Sequence, residues 1–353
     1  MSKLKQLQMK LHEESIDGLL ITNPFNLRYI TNFTGSSGVA IVTKDDALFI
    51  TDFRYTEQAT KQAPEFTVIE FRTSMHDEVS KQVEKLGIQS VGFEKNDLSF
   101  AVWDQYKQAI KAEFVPSAGI IEDLRIIKTA DELAIIREAA DIADLAFKHI
   151  IDFIAPGRTE IEVANELEFF MRKCGATSSS FDIIVASGVR SALPHGVATD
   201  KVIEKGDFVT LDYGALHKGY ISDITRTVAV GEPSEKLKEI YQIVLDAQLN
   251  ACEHLKPGMS GIEADALARD YIAEKGYGEN FGHSLGHGIG LEVHETPNLS
   301  YRSEVKLQPN MVVTIEPGIY LPGIGGVRIE DDVVVTESGN ERLTHSTKEL
   351  LIL

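Results

Sequence analysis

The sequence predicts an α/β (α+β) protein of two domains, and three observations lead to this prediction. The first is the length, because 353 residues exceed what one hydrophobic core usually organises. The second is an alternation of strand and helix patterns over residues 1–123, typical of a small α/β domain with a mixed sheet. The third is an internal repeat within residues 124–353, which indicates a second domain with pseudo-twofold symmetry.

The first domain is predicted from short apolar runs bounded by turn residues. Strands are indicated by DGLLIT, GVAIVT, DALFIT, VGFE and AEFVP, and helices by SMHDEVSKQVEKLG and SFAVWDQYKQAI. The segment IEDLRIIKTADEL is expected to form the hinge into the second domain. There Thr129 and Glu132 have the spacing of a capping box, which predicts the start of a long helix.

The internal repeat consists of three helix signals that recur with a constant offset. A Pro-Gly stop is followed by a Ser/Thr-x-x-Glu cap and then by a glycine that ends the next helix. The second copy lies 101 residues after the first, as from Thr159 to Ser260. The paired signals are Pro156-Gly157 with Pro257-Gly258, Thr159 and Glu162 with Ser260 and Glu263, and Gly175 with Gly276. Two like halves predict a cleft where they meet.

Composition excludes several classes of function. A net charge of −19 disfavours nucleic acids and anionic membrane surfaces as partners. The chain shows no secretory signal pattern and no apolar run approaching the roughly 18 residues of a membrane span. Cys174 and Cys252 lie in separate helical stretches without metal-ligand spacing, so both are expected to be reduced. The sequence therefore predicts a cytoplasmic protein.

Four acidic residues are placed on two predicted hairpins. In DFVTLDYGALHKGYISDITRTVAV, Asp212 and Asp223 are equidistant from the middle of a predicted turn at His217 and Lys218. Their carboxylates are then expected to face each other across the strands, about 5 Å apart. Like charges so placed repel each other, and a shared cation is the simplest compensation.

The second hairpin, MVVTIEPGIYLPGIGGVRIEDDVVVT, places Glu316 and Glu330 symmetrically about Gly323. One facing pair is also compatible with solvated acids at a strand edge. Two pairs in matching halves favour a metal cluster.

Between the hairpins, the glycine-rich segment FGHSLGHGIGLEVHE contains His283, His287 and His294. A phosphate-binding loop is disfavoured here, because no Lys-Ser/Thr follows the glycines and the surroundings are acidic. Carboxylates with one imidazole suit two divalent ions, manganese above all, with cobalt, iron and zinc as alternatives. Two such ions can generate a bridging hydroxide and polarise a carbonyl oxygen, which is amide hydrolysis chemistry.

At these residues the sequence resembles the pita-bread metallopeptidases, in particular the Xaa-Pro branch of proline dipeptidases and aminopeptidase P. The resemblance covers nearly the whole chain and rests on four motifs, LDYGALHKGYISDITRT, GHSLGHGIGLEVHE, TIEPGIY and GVRIEDDVVVT. NPFNLRYITNFTGS and ITDFRYTEQA also resemble the smaller N-terminal domain of that branch. The resemblance implies a pita-bread catalytic domain and cleavage of the bond that precedes proline.

The resemblance also implies roles for individual residues. Asp212 and Asp223 are expected to hold one metal, His287 and Glu316 the other, with Asp223 and Glu330 bridging, and Glu316 is also expected to act as general base. The expected substrate-binding residues are His195, His283, His294, Arg328 and Tyr320, of which His195 and His294 also act on the reacting amide. For Arg328 the alternative is a salt bridge to Glu330 or a neighbouring acid, and for Tyr320 simple packing on the hairpin.

Other interpretations remain open at this point. Arg54 and Tyr55 are candidates for contact with substrate or with a dimer mate, against a local salt bridge as the alternative. A homodimer is expected, with proline-containing dipeptides or peptides as substrates. Methionine aminopeptidase, creatinase and a non-catalytic binding protein of the same fold are the competing classes. The sequence does not separate a dipeptidase from an aminopeptidase.

Overall fold

The structure, a computed structural model, describes all 353 residues. The chain forms two compact units, Met1–Arg125 and Ile126–Leu353. The domain border predicted after residue 123 lies close to the border between these compact units. Whether the two units are separate domains stays a prediction. None of the helices is long and apolar enough to cross a membrane.

The first unit is built on a six-stranded mixed sheet with the order β4-β3-β2-β1-β5-β6. The β1–β2 and β2–β3 pairs are antiparallel, and the other three pairs are parallel. The strands are β1 Gly18–Ile21, β2 Val39–Thr43, β3 Ala47–Thr51, β4 Thr67–Glu70, β5 Ser90–Glu94 and β6 Glu113–Ser117. The helices are α1 Lys3–Leu11, α2 Pro24–Thr31, α3 Thr56–Gln62, α4 Met75–Lys85, α5 Phe100–Ala109 and the short α6 Glu122–Ile126, which spans the border of the two units.

The predicted mixed sheet is confirmed, and the sequence patterns missed β4 and the first three helices. The β4 strand lies at the sheet edge and none of its four residues is fully buried, so it lacks the apolar run of an inner strand. The predicted strands, by contrast, supply core residues such as Leu20, Ile41, Ile50 and Val91.

The second unit combines four long helices with thirteen short strands. The helices are α7 Ala130–Ile150, α8 Glu160–Lys173, α9 Glu235–His254 and α10 Gly261–Glu274. The strands of its first half are β7 Ser178–Ser179, β8 Ile184–Ser187, β9 Phe208–Tyr213, β10 Ala215–His217, β11 Tyr220–Ile221 and β12 Ile224–Ala229. Those of its second half are β13 Gly286–Gly288, β14 Glu295–Leu299, β15 Val312–Ile315, β16 Gly318–Leu321, β17 Gly325–Arg328, β18 Asp331–Val335 and β19 Asn340–Arg342.

The internal repeat is confirmed in the structure. Both α8 and α10 have 14 residues and begin with complete capping boxes, in which Thr159 and Ser260 bond the backbone N–H of Glu162 and Glu263. The four predicted stop glycines have positive φ angles between 87° and 108°. The expected helix stop at Pro156-Gly157 needs correction. The helix α7 already ends at Ile150, and the chain makes further turns before it reaches Pro156.

Each repeat has its own apolar core and its own sheet. In the first half α7 and α8 pack over a sheet with the order β12-β9-β8, and in the second α9 and α10 pack over β14-β13-β15-β18-β19. The segment around Ile352 adds a parallel bridge beside Ala229 at the end of β12. The predicted acids thus lie on or directly beside two neighbouring strands of each sheet, β9 and β12 in the first half and β15 and β18 in the second.

Candidate metal centre and active site

The first acid pair lies on the β9–β12 hairpin, but its predicted register is wrong. Asp212 is opposite Thr225 rather than Asp223, because the turn is centred between Lys218 and Gly219. Both turn residues have positive φ angles, 46° and 89°, as a two-residue type I′ turn requires. Asp223 is therefore a diagonal neighbour of Asp212 on the same face of the hairpin.

The second acid pair has the predicted register. Residues of β15 and β16 pair with those of β18 and β17 symmetrically about Gly323, whose φ angle is 79°. Glu316 follows β15 directly, and Glu330 directly precedes β18. The two hairpins agree in part, since Asp223 directly precedes β12 as Glu330 precedes β18, whereas Asp212 lies within β9 and Glu316 lies just after β15.

His287 is brought beside these acids by the short strand β13. This strand pairs with β15 through Gly288 and Val313, and the backbone N–H of His287 donates to Thr314 Oγ1 at 3.1 Å. Only glycine fits at position 286, because a Cβ there would lie 2.0 Å from the carbonyl oxygen of Thr314. The glycines that the sequence places around His287 therefore allow the two backbones to approach each other.

The predicted ligands converge between the two hairpins. One ligand atom from each of Asp223, His287 and Glu330 lies within 4.8 Å of the others. His287 Nε2 is 3.3 Å from Glu316 Oε1 and 3.9 Å from Asp223 Oδ2. Among the four acids, Asp212 alone is paired with an arginine, since its Oδ2 accepts a hydrogen bond of 2.5 Å from Arg328 Nη2.

The electrostatics of this cluster fit a cation. Burial raises the pKa of Asp223 well above its usual value, and the charges of Glu330 and Asp212 raise it further. Burial likewise raises the pKa of Glu330 well above its usual value, with the charges of Glu316 and Asp212 adding to the effect. Asp223 Oδ1 is buried and has no hydrogen-bond partner, which is costly in a structural carboxylate but expected of a metal ligand.

Glu316 behaves differently from the other buried acids. Its burial acts to raise the pKa, but the hydrogen bond and the charge of His287 outweigh this effect and lower the pKa to about 2. Burial in turn acts to lower the pKa of His287, and Glu316 more than compensates, so this pKa is raised. The carboxylate of Glu316 therefore stays ionised at neutral pH.

Arg328 organises the base of the site. Its Nη2 holds Asp212, its Nη1 donates to Tyr320 Oη at 2.8 Å, and its Nε donates to Thr225 Oγ1 at 3.1 Å. Tyr320 Oη also lies 2.8 Å from His283 Nε2, and burial raises the Tyr320 pKa to about 12. The salt bridge considered for Arg328 is present, and Tyr320 does more than pack on the hairpin.

A cavity of about 590 Å³ opens over the cluster, and nine of the ten predicted site residues line it, all but Tyr320. His195 and His294 lie on its exposed wall, and the His294 ring is 4.4 Å from the His287 ring. Burial, and then the neighbouring His287, lower the His294 pKa. The apolar part of the wall consists of Phe181, Ile184, Pro194, Val197 and Val293.

Several residues of the site are absent from the sequence predictions. Thr225 Oγ1 donates to Glu330 Oε2 at 2.6 Å, and Asp332 Oδ2 accepts from the backbone N–H of Asp223 at 2.8 Å. Thr225 and Asp332 each lie two positions from a predicted ligand. This closeness in sequence is the only feature that could have pointed to a role in the site. Asp182 and Asn298 of the cavity wall carry no such signal.

Arg54 and Tyr55 of the first unit have local partners. Both oxygens of Asp52 accept hydrogen bonds from the Arg54 guanidinium, at 2.8 and 2.9 Å. Tyr55 Oη lies 2.8 Å from Ser36 Oγ. The local salt bridge considered from the sequence is therefore present.

Two family models match the chain. Residues 134–337 match metallopeptidase family M24, and residues 3–127 match the Creatinase/Prolidase N-terminal domain. The chain belongs to metallopeptidase family M24, and the resemblance stated from the motifs is confirmed, including the fold that it implied.

Individual relatives extend the match over the full length of the chain. It is 46% identical to an Xaa-Pro dipeptidase of Pyrococcus furiosus, with 99% of each chain covered. The solved structure of an Xaa-Pro dipeptidase from Bacillus anthracis has a TM-score of 0.98 at 63% identity, again with 99% of each chain covered. An X-Pro aminopeptidase structure from Thermotoga maritima has a TM-score of 0.91 at 42% identity and covers 98% of this chain and 100% of its own.

Proposed function

We propose that the chain is a two-metal peptidase that hydrolyses the peptide bond preceding proline, with Xaa-Pro dipeptides as its main substrates. The convergence of Asp223, His287 and Glu330 below an open cavity carries this proposal. The partnerless buried oxygen of Asp223 supports a bound cation at this place.

Five side chains would hold the metals. Asp212 and Asp223 would bind one ion, His287 and Glu316 the other, and Asp223 and Glu330 both. The four negative charges of the carboxylates balance the charge of two divalent ions. Oxygen donors with one imidazole favour manganese over ions that prefer thiolates. The ions, when bound, lower the pKa of water to supply a nucleophile and polarise the substrate carbonyl.

Side chains of the cavity would accept the proton of the attacking water and donate a hydrogen bond to the substrate. Glu316 is ionised at neutral pH because His287 lowers its pKa to about 2 in the metal-free chain, so it can accept a proton from water. His294 has a lowered pKa and is neutral, so one ring nitrogen can donate a hydrogen bond to the reacting amide. His195, on the same wall, would close the cavity over the proline ring.

A dipeptidase is proposed ahead of an aminopeptidase because two Xaa-Pro dipeptidases, at 63% and 46% identity, are more similar to the chain than the X-Pro aminopeptidase at 42%. The cavity itself offers one lysine or arginine, Arg328, and each of its three side-chain nitrogens already donates a hydrogen bond, to Asp212, Tyr320 or Thr225. A free substrate carboxylate would then be met by the histidines of the wall. A homodimer and a cytoplasmic location stay predictions from the sequence.

The proposal is tested by hydrolysis assays on protein loaded with Mn²⁺, Co²⁺, Fe²⁺ or Zn²⁺ in turn. The substrates are Ala-Pro, Ala-Pro-Ala and, as a control without proline, Ala-Ala. Ala-Pro should be cleaved fastest, Ala-Ala should be resistant, and Asp223→Asn should be inactive with reduced metal content.

Three outcomes would redirect the proposal. Faster cleavage of Ala-Pro-Ala than of Ala-Pro would make the chain an aminopeptidase. Equal cleavage of Ala-Ala would remove the proline requirement. Full activity after removal of all metal would refute the two-metal site.

A further inference from the structure

His294 is carried by a loop whose backbone is folded around a single buried carboxylate. The loop joins β13 to β14, and Glu295, the first residue of β14, turns its side chain back onto it. Glu295 Oε1 accepts hydrogen bonds from the backbone N–H groups of Leu291 and Glu292, at 2.9 and 3.1 Å. The carboxylate thus fixes the two residues that precede Val293 and His294 of the cavity wall.

The charge of this carboxylate is balanced by Lys128. Lys128 Nζ lies 2.9 Å from Glu295 Oε2, and the two side chains are only 2% and 7% exposed. The backbone N–H of Lys128 also donates to the carbonyl oxygen of Asn310, at 2.9 Å. Removing one partner of a buried ion pair is strongly destabilising, so Lys128 helps to hold the Glu295 carboxylate in place.

Gly290 leaves the space that the Glu295 carboxylate occupies. A Cβ on Gly290 would lie 2.7 and 2.9 Å from the two carboxylate oxygens, so a larger residue would displace them. The carbonyl oxygen of Gly290 accepts from the backbone N–H of Ile221, which ties the start of the loop to the first hairpin. The loop is therefore fixed at its start by Ile221 and in its middle by Glu295.

The same construction recurs beside the other two histidines of the cavity. Glu160, paired with Arg190, accepts from the backbone N–H groups of Ser187 and Thr199, the ends of the segment that contains His195. Asp265, paired with Arg269, accepts from the backbone N–H of Leu285. Arg269 in addition donates to the carbonyl oxygen of His283.

We propose that Lys128 and Glu295 are positioning residues of the peptidase, which hold His294 in its working place without touching substrate or metal. This inference rests on the proposed function of His294. Lys128 lies between the two segments that match family models, residues 3–127 and 134–337, so the connecting segment contributes to the active site.

The test compares Lys128→Met, Glu295→Gln and Gly290→Ala with the wild-type enzyme, all loaded with Mn²⁺. Each variant should lose at least tenfold in kcat for Ala-Pro with little change in KM, and each should retain its metal. In a His294→Ala background, Lys128→Met should cause little further loss, because both changes act through the same imidazole. Arg137→Met, which removes the exposed Arg137–Glu341 pair of α7, is the matched control and should leave kcat unchanged.

Amide hydrogen exchange supplies a readout that does not need activity. Leu291 and Glu292 should lose protection in Lys128→Met and in Glu295→Gln but not in Arg137→Met. Unchanged protection and kcat in the first two variants would overturn the inference, as would a Lys128→Met loss that multiplies fully with that of His294→Ala. Inactivity of the wild-type enzyme on every proline substrate would instead refute the proposed function, and the exchange data would still decide whether the loop is held.

Discussion

His195 and His294 lie on the exposed wall of the cavity, whereas His287 is largely buried among carboxylates. Neither exposed imidazole makes a hydrogen bond or an ion pair with a carboxylate of the cluster, and the His294 ring contacts the ring of His287. In the proposed site, five other side chains supply the donors for two ions. The two wall histidines are therefore available to the substrate.

Replacing these two histidines separates binding of metal from catalysis. His294→Ala is expected to keep both metals and to lose about 10² to 10⁴ in kcat, the usual contribution of one positioned acid or base. His195→Ala is expected mainly to raise KM for proline substrates. Metal analysis and steady-state kinetics on each variant check both expectations, and a loss of metal in proportion to activity would show that the histidine is a ligand.

The two hairpins explain which parts of the site were predictable. The register of the second hairpin follows from counting outward from Gly323, because its turn is symmetric about that glycine. In the first hairpin Lys218 adopts a positive φ angle, which is uncommon for lysine, so the turn lies one residue later than the sequence suggests. Two facing acids thus became diagonal neighbours, although their common face was predicted correctly.

Long-range partners mark the limit of sequence reasoning. Thr225 and Glu330 are 105 residues apart, and Asp223 and Asp332 are 109 apart. Threonine is common on strands, and Asp332 follows two other acids, Glu330 and Asp331, so nothing in their local pattern points to these contacts. The proposed ligands could be selected from the sequence because each half carries a pair of acids on a hairpin and their motifs resemble a known family.

The capping boxes of α8 and α10 should each contribute measurably to the free energy of unfolding. Thr159→Ala and Ser260→Ala should each cost about 1 kcal/mol of stability, because each removes the side-chain acceptor of one backbone N–H in the first helical turn, that of Glu162 or Glu263. Thr159→Ser retains the hydroxyl and is the control. Urea unfolding midpoints provide the measurement, and an equal loss in Thr159→Ser would show that the methyl group rather than the cap matters.

At the scale of the whole molecule, the buried acids of the proposed metal site lower the stability of the metal-free fold when they are ionised. The pKa values of Asp223 and Glu330 are raised in the metal-free chain. Their contribution to stability is fully present below the ordinary carboxyl pKa, about 4, and is lost as the pH rises through the raised values. Divalent ions should reverse this loss, since they bind the folded state alone.

This linkage predicts the behaviour of Asp223→Asn without metal. The variant should melt above the metal-free wild type at pH 8, by at least about 2 °C, and at nearly the same temperature at pH 4. Mn²⁺ should raise the melting temperature of the wild type much more than that of the variant. Calorimetry at both pH values checks this, and identical curves at pH 8 would show that the buried acids do not repel each other as the structure indicates.

The division of the ligands between two repeats also governs when the site can form during synthesis. A ribosome releases Asp212 and Asp223 more than a hundred residues before Glu330, and the strand that follows Asp223 gains its neighbour around Ile352 later still. With the ligands proposed above, a nascent chain would expose half of a chelating site that cannot yet hold two ions. Metal would then bind late in synthesis, to nearly completed chains.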